Sequence, residues 1–309
     1  MSKVVPIFFA CDDNYIPFLS VCLKSLIDNS SKKYKYKIKI LYTKVNYKNI
    51  RMIKKYNTDN IDIEFVNIKA NLSKINNKLY TRDYYTNTTY YRLFIPNLYK
   101  EYDKALYIDA DTVILDDIAK LYNINIKDNL VGAVTDGIIK NNKIFREYAE
   151  IVIGLNNYKN YFNAGVLILN LKELRNFDFE NKFLYLLDTV KFTLAQDQDY
   201  LNRLCKGRVK IINDNWDVMP SDAKNHKNER KIKLIHYNLA EKPWLYDNIP
   251  FEKFFWYYAK DTNYYKTIIK IKNSYTLKDK KNDSIMFKNM LEIAKKECSC
   301  VGDIKNGKR

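Results

Sequence analysis

The amino-acid sequence predicts an α/β protein: a mostly parallel sheet covered by helices. Three observations lead there. Strand-like and helix-like segments alternate over the first 68 residues. Hydrophobic residues make up 47% of a 309-residue chain, enough to bury the core of one large domain or two modest ones. Only 7 Gly and 6 Pro interrupt it, which excludes collagen-like and linker-rich architectures.

Residues 4–11 form the first strand. In "DDNYIPFLSVCLKSLIDNS", Leu19, Cys22, Leu23 and Leu26 recur at helical spacing, so a helix follows. "YKIKILYT" (36–43) reads as strand, "YKNIRMIKKY" as helix and "IDIEFVNI" as strand, giving the β-α-β-α-β order of a parallel sheet. A Lys/Asn/Tyr-rich stretch comes next, and "NTTYYRLFIPNLY" is predicted to be a helix ending before Pro96. Further strands are predicted at 104–109, within 129–137 and after Asn163-Ala164-Gly165 in 161–175. "FENKFLYLLDTV" is helical, "LAQDQDYLNRLCKGRVKII" is a helix then a strand, and "KIKLIHYNLAEKPWLY" ends a strand at His236.

The formal charge is +17, from 53 Lys and Arg against 36 Asp and Glu. Nucleic acid, an anionic membrane and a phosphorylated small molecule all suit that sign. The segment 260–309 holds 13 Lys and Arg against 6 Asp and Glu. Within it, Met286, Met290, Leu291 and Ile293 form a stripe beside Lys288, Lys295 and Lys296. Such a basic amphipathic helix suits an anionic membrane surface, or equally a helix docked on its own domain with a solvated outer face. No apolar run approaches membrane-spanning length, and the N-terminus reads as a strand rather than a signal peptide, so a cytoplasmic location is the expectation. Cys11, Cys22, Cys205, Cys298 and Cys300 are too few and too scattered for a disulfide framework.

The stretch "KALYIDADTVILDD" (104–117) carries the first chemical signal. An apolar strand runs into Asp109 and Asp111, and two carboxylates two residues apart beside a core are costly without a cation. His226 lies in a polar, surface-like stretch and reads as inert. His236 ends an apolar strand; taken alone it reads as a packed residue, but beside Asp109 and Asp111 it completes a donor set suited to Mn²⁺, with Mg²⁺ preferring a shell richer in oxygen. Arg92 and Lys242 are cations able to hold phosphoryl oxygens, although each alone reads equally as a surface or salt-bridged residue. In "AQDQDYLN", Gln196 to Asp199 cannot share one helical face, so some meet a ligand or neighbouring backbone unless they simply open a helix. With no Walker loop, dinucleotide glycine fingerprint or nucleophile elbow, a diphosphate would be held by metal and side chains.

Six pieces in one order, "FFACDDNY", "TTYYRLFIP", "ALYIDADTVIL", "FNAGVLILNL", "AQDQDYLN" and "HYNLAEKPW", resemble glycosyltransferase family 8, the group of bacterial lipooligosaccharide α-galactosyltransferases and glycogenin. The resemblance covers about residues 4–250 and implies a GT-A fold: a mixed, mostly parallel sheet flanked by helices with a nucleotide-sugar site. It implies a catalytic domain at 1–258 and a basic helical tail at 259–309. By this similarity Asp109, Asp111 and His236 ligate Mn²⁺. Ala10, Asp12 and Asn14 contact uridine and Tyr15 stacks on uracil. Ala110 sits within the Asp-x-Asp motif. Arg92, Asn163 and Asp197 hold the donor sugar or its diphosphate beside the backbone of Ala164 and Gly165. Lys242 binds the β-phosphate, and Gln198 faces the anomeric carbon.

The implied activity is retaining transfer of glucose or galactose from a UDP-sugar to a glycan hydroxyl of lipopolysaccharide or a lipid-linked oligosaccharide. Glycans on a bacterial surface protein are the alternative acceptor. The aromatics of "FEKFFWYYAK" beside the Lys-rich tail imply peripheral attachment to the inner face of the plasma membrane. No nucleic-acid-binding motif accompanies the positive charge, and oligomeric state is not legible. One departure from the family pattern stands out: Leu239 occupies the place, three residues after the metal-binding His, where the family commonly has Gly.

Overall fold

The computed structural model describes residues 3–72, Leu79 and residues 87–305. Among the described residues the strands are β1 (Lys3–Ala10), β2 (Tyr34–Tyr42), β3 (Ile61–Asn67), β4 (Lys104–Ile108), β5 (Thr112–Ile114), β6 (Val131–Ala133), β7 (Val166–Asn170), β8 (Val209–Ile211) and β9 (Leu234–His236). The α-helices are α1 (Ile16–Asn29), α2 (Tyr47–Lys54), α3 (Lys69–Leu72), α4 (Ile95–Leu98), α5 (Ile118–Tyr122), α6 (Gly137–Asn141), α7 (Lys143–Ile151), α8 (Leu171–Asn176), α9 (Phe179–Thr189), α10 (Asp197–Leu204), α11 (Glu252–Ala259), α12 (Tyr265–Ser274) and α13 (Leu277–Lys305).

Seven strands form one sheet in the order β3-β2-β1-β4-β7-β6-β8, and β5 pairs with β9 in a separate ribbon. β7 runs antiparallel to both its neighbours, while the other pairings of the large sheet are parallel. The sheet is therefore mixed and mostly parallel, as predicted for a GT-A-like fold. Its central strands are buried on both faces: in β1, Phe8 joins one core cluster while Val5, Ile7 and Phe9 join the other. This is why "VVPIFFA" reads as a continuous apolar run rather than an alternating one.

Two local readings change. "NTTYYRLF" forms a 3-10 helix (Asn87–Phe94), and Pro96 does not terminate a helix but lies in the first turn of α4, where a missing N–H costs no hydrogen bond. The apolar run after Gly165 leaves the sheet at Asn170, whose side chain accepts from the Glu173 N–H and so caps α8. Part of the Lys/Asn/Tyr-rich stretch before Asn87 lies outside the described residues.

The basic C-terminal segment packs on the rest of the chain. Phe255, Tyr258, Ala259 and Ile268 share a third core cluster with Phe18, Val113, Ile235, Tyr237 and Trp244. α13 lies against α7, with Met290 and Ala294 buried and the partly exposed Phe287 ring edge-on to Phe145, while Lys281, Lys288, Lys295 and Lys296 are exposed on its outer face with Ile285. No described helix is long and apolar enough to cross a membrane. The five cysteines are free thiols.

Candidate active site

Two strand registers bring the acidic motif and the histidine together. β4 pairs with β7 so that Ile108 faces Val166, and the Asp109 N–H then donates to the Gly165 carbonyl at 2.7 Å. β5 pairs with β9 so that Thr112 faces His236, and the Tyr237 N–H donates to the Asp111 carbonyl at 2.9 Å. Residues distant in sequence are thus fixed by backbone pairing at the strand ends, where ligands of open α/β sheets bind.

His236 Nε2 lies 3.4 Å from Asp111 Oδ1 and 3.8 Å from Asp109 Oδ2. Ligand atoms from the three residues lie within 4.8 Å of one another. On its other side the ring meets buried Asp217, Nδ1 to Oδ1 at 3.0 Å, which directs Nε2 toward the two carboxylates. A Cβ placed on Gly165 would come within 2.3 Å of His236 Cε1 and 2.8 Å of Asp109 Oδ2, so glycine keeps this space open. Two carboxylates, one oriented imidazole and a cradle free of side chain fit a divalent cation.

The charges are balanced closely. Burial pushes the His236 imidazole down, but with no cation bound Asp217 and then Asp111 outweigh it and raise its pKa, favouring a proton that a bound cation would displace. Burial pushes Asp111 up, but Lys242 and His236 outweigh that and hold its carboxyl well below the usual range. Lys242 is itself buried, with Nζ donating to Asp111 Oδ2 at 2.5 Å and to the Tyr237 carbonyl at 2.6 Å.

Opposite this group, α10 opens with Asp197. Gln196 before it has φ +48°, a strained value for a residue with a Cβ. Arg92 bridges the two acidic groups: Nη2 is 3.2 Å from Asp109 Oδ1 and Nε is 3.1 Å from Asp197 Oδ2. Its Nε–H is aligned instead on the Thr89 carbonyl at 2.8 Å, leaving Asp197 Oδ2 buried without a hydrogen bond. Burial raises the Asp197 carboxyl to about 6 against the pull of Arg92. Asp199 points elsewhere. It accepts from the hydroxyls of Tyr148 and Tyr161 and from the Ala195 N–H, and so braces the start of α10.

Gln198 Oε1 accepts from the Ala164 N–H at 2.9 Å, and its Nε2 donates to Asp136 Oδ2 at 3.1 Å. Asn163 donates to the same Asp136 oxygen at 2.9 Å and accepts from the Gly165 N–H at 2.8 Å. Asp136 is thus a hub, because its other oxygen caps α6 through the N–H groups of Ile138 and Ile139.

Ala10, Asp12, Tyr15, Arg92, Asp109, Ala110, Asp111, Asn163, Ala164, Gly165, Asp197, Gln198, His236 and Lys242 all line one cavity. Asn14 is exposed and lines an adjoining hollow with Tyr15, Lys242 and Trp244. Asp136 and Met290 line the cavity too, and Asp217 stands behind His236; sequence reasoning passed over all three as site residues. "TDG" does carry an N-cap signal at Asp136, whereas nothing near Asp217 marks it. His226, read as a surface residue, is buried, with Nε2 3.8 Å from Asp214. Leu239 lines the cavity and has φ +49°, in the left-handed region that favours glycine.

The profile of Glycosyl transferase family 8 matches residues 6–248. A Haemophilus influenzae protein described as a glycosyltransferase is 32% identical over 251 residues, covering 79% of this chain and 74% of the relative. The bifunctional glycosyltransferase WbbM superposes with a TM-score of 0.78 at 26% identity, over 89% of this chain and 52% of that one. The galactosyltransferase LgtC, solved with donor and acceptor sugar analogues, superposes with a TM-score of 0.70 at 26% identity, over 84% and 96% of the two chains.

Proposed function

The chain belongs to glycosyltransferase family 8, and from that premise and the site's geometry we propose that it is a metal-dependent, retaining hexosyltransferase using UDP-glucose or UDP-galactose. The observation that carries this is the convergence of Asp109, Asp111 and His236 with Lys242, Arg92 and an unsatisfied Asp197 oxygen around one cavity. Asp109, Asp111 and His236 would hold Mn²⁺, which when bound supplies positive charge against the donor diphosphate. Ala10, Asp12, Asn14 and Tyr15 form the uridine end. Lys242 contacts the β-phosphate, and Arg92 adds charge from the far side. Asp197 Oδ2 accepts a donor-sugar hydroxyl, which satisfies its open lone pair. Asn163 and the backbone at Ala164 and Gly165 complete the sugar site beside Ala110.

Gln198 is a weak nucleophile, and its amide is engaged by Ala164 and Asp136. This supports same-face displacement without a glycosyl-enzyme. The bond from the anomeric carbon to the UDP oxygen breaks as the acceptor oxygen bonds on the same face. The acceptor proton passes to the departing phosphate oxygen. The products are UDP and an α-glycoside.

For the acceptor we favour a glycan of lipopolysaccharide or a lipid-linked oligosaccharide, met at the cytoplasmic face of a membrane through the segment 259–309. Its exposed lysines, with Ile285, support that placement. Thermal unfolding tests the donor assignment. Mn²⁺ and UDP together should raise the melting temperature more than the sum of each alone, and UDP-glucose or UDP-galactose should exceed UDP-N-acetylglucosamine. No joint shift with any of these nucleotides refutes the proposal.

A further inference from the structure

We infer that Lys272, beyond the part of the chain shared with the family profile, positions Lys242 for its phosphate contact. The inference rests on the proposed role of Lys242. Lys242 opens a tight turn, its carbonyl accepting from the N–H groups of Leu245 and Tyr246 at 2.9 Å each. The far side of that turn presents the carbonyls of Pro243 and Tyr246. Both accept from Lys272 Nζ, at 3.0 and 2.8 Å, with Asp247 as its counter-ion at 2.8 Å.

An ammonium with three donors suits two converging carbonyls and one carboxylate. The turn is gripped again at Tyr246, whose hydroxyl donates to the nearly buried carboxylate of Asp283 on α13, shared with the Tyr275 hydroxyl. Trp244, between these grips, stacks on Phe18 with ring centroids 4.0 Å apart. The family profile ends at residue 248, so α12 and α13 supply this clamp from outside the shared region. Without Lys272 two carbonyls lose their partner, the turn relaxes, and the Lys242 ammonium loses its fixed aim.

The test is calorimetric titration of the full chain with UDP and with UMP in Mn²⁺. UMP lacks the β-phosphate and separates aim from general damage. Lys272→Met should weaken UDP by about tenfold and UMP by less than about twofold, the scale at which supporting contacts tune a site. Lys272→Arg should recover most of the loss, and Lys272→Gln, which keeps part of the donor set if the Met variant does not fold, should fall between. In Lys242→Met, adding Lys272→Met should cost UDP less than about a further twofold, because both act through one contact. Equal losses for UDP and UMP, an unchanged UDP affinity, or multiplicative losses in the double variant would overturn the inference. If Lys242→Met itself leaves UDP binding unchanged, the Lys242 assignment fails and the inference falls with it.

Discussion

Gly165 and His236 are in contact across the candidate metal site: a methyl group on Gly165 would lie 2.3 Å from the His236 ring. The neighbouring Asp109 carboxylate would be met at 2.8 Å. Neither partner can retreat freely, because Asp217 holds the ring and the Asp109 backbone is bonded to the Gly165 carbonyl. Gly165→Ala should therefore weaken Mn²⁺ binding by about tenfold or more, while the fold is kept. Paramagnetic titration of free Mn²⁺ reads this directly. An unchanged affinity would mean that the cradle is not the metal's place.

Leu239 spends free energy on its backbone. A left-handed residue with a Cβ costs about 1–2 kcal/mol, and glycine loses about 0.5–1 kcal/mol of chain entropy in exchange. Leu239→Gly should stabilise the protein by about 0.5–1 kcal/mol, read from the urea midpoint, and tighten UDP binding by bringing backbone closer to the diphosphate. A destabilised variant would show that the Leu239 side chain contributes packing that outweighs its strain.

Asp199 gives a pH signature. Burial raises its carboxyl from 3.8 to about 7, against the pull of Tyr161, the Ala195 N–H and Tyr148. The folded protein then binds this proton more tightly than the unfolded chain. Its contribution is greatest below the unfolded pKa and is lost as pH rises toward about 7, up to about 4 kcal/mol in all. Asp199→Asn should flatten that part of the stability curve between pH 4 and 7 in urea unfolding. Parallel curves for the two proteins would contradict the assignment.

The strands that frame the site were legible because burial on both faces leaves an unmistakable apolar run, as in "VVPIFFA" and "KALYI". Asp109 and Asp111 stood out for the same reason, as charges ending such a run. His236 was ambiguous in isolation, since only the β5–β9 register puts it beside Asp111. Asp136 and Asp217 were invisible as site residues because their roles are contacts to other side chains across the fold. The seven- and four-residue spacing of Asp283, Met290 and Ala294 was present in the sequence, but which face of that helix docks is decided by α7.

The outer face of α13 makes the membrane proposal testable without disturbing its packed side. Replacing exposed Lys281, Lys288, Lys295 and Lys296 by Glu should sharply reduce cosedimentation with phosphatidylserine vesicles, at about 1 kcal/mol per basic residue near the surface. Binding that survives the four substitutions would remove this face from any membrane role.

By the function proposed, the Asp109, Asp111 and His236 group serves UDP-sugar chemistry. Its most direct test is UDP release from UDP-glucose and UDP-galactose in Mn²⁺, comparing the unsubstituted chain with Asp111→Asn and tracking UDP binding on the same samples. Release from one hexose donor, lost on chelation of the metal and in Asp111→Asn, is the predicted result. Neither release nor Mn²⁺-dependent UDP binding by the unsubstituted chain would contradict it.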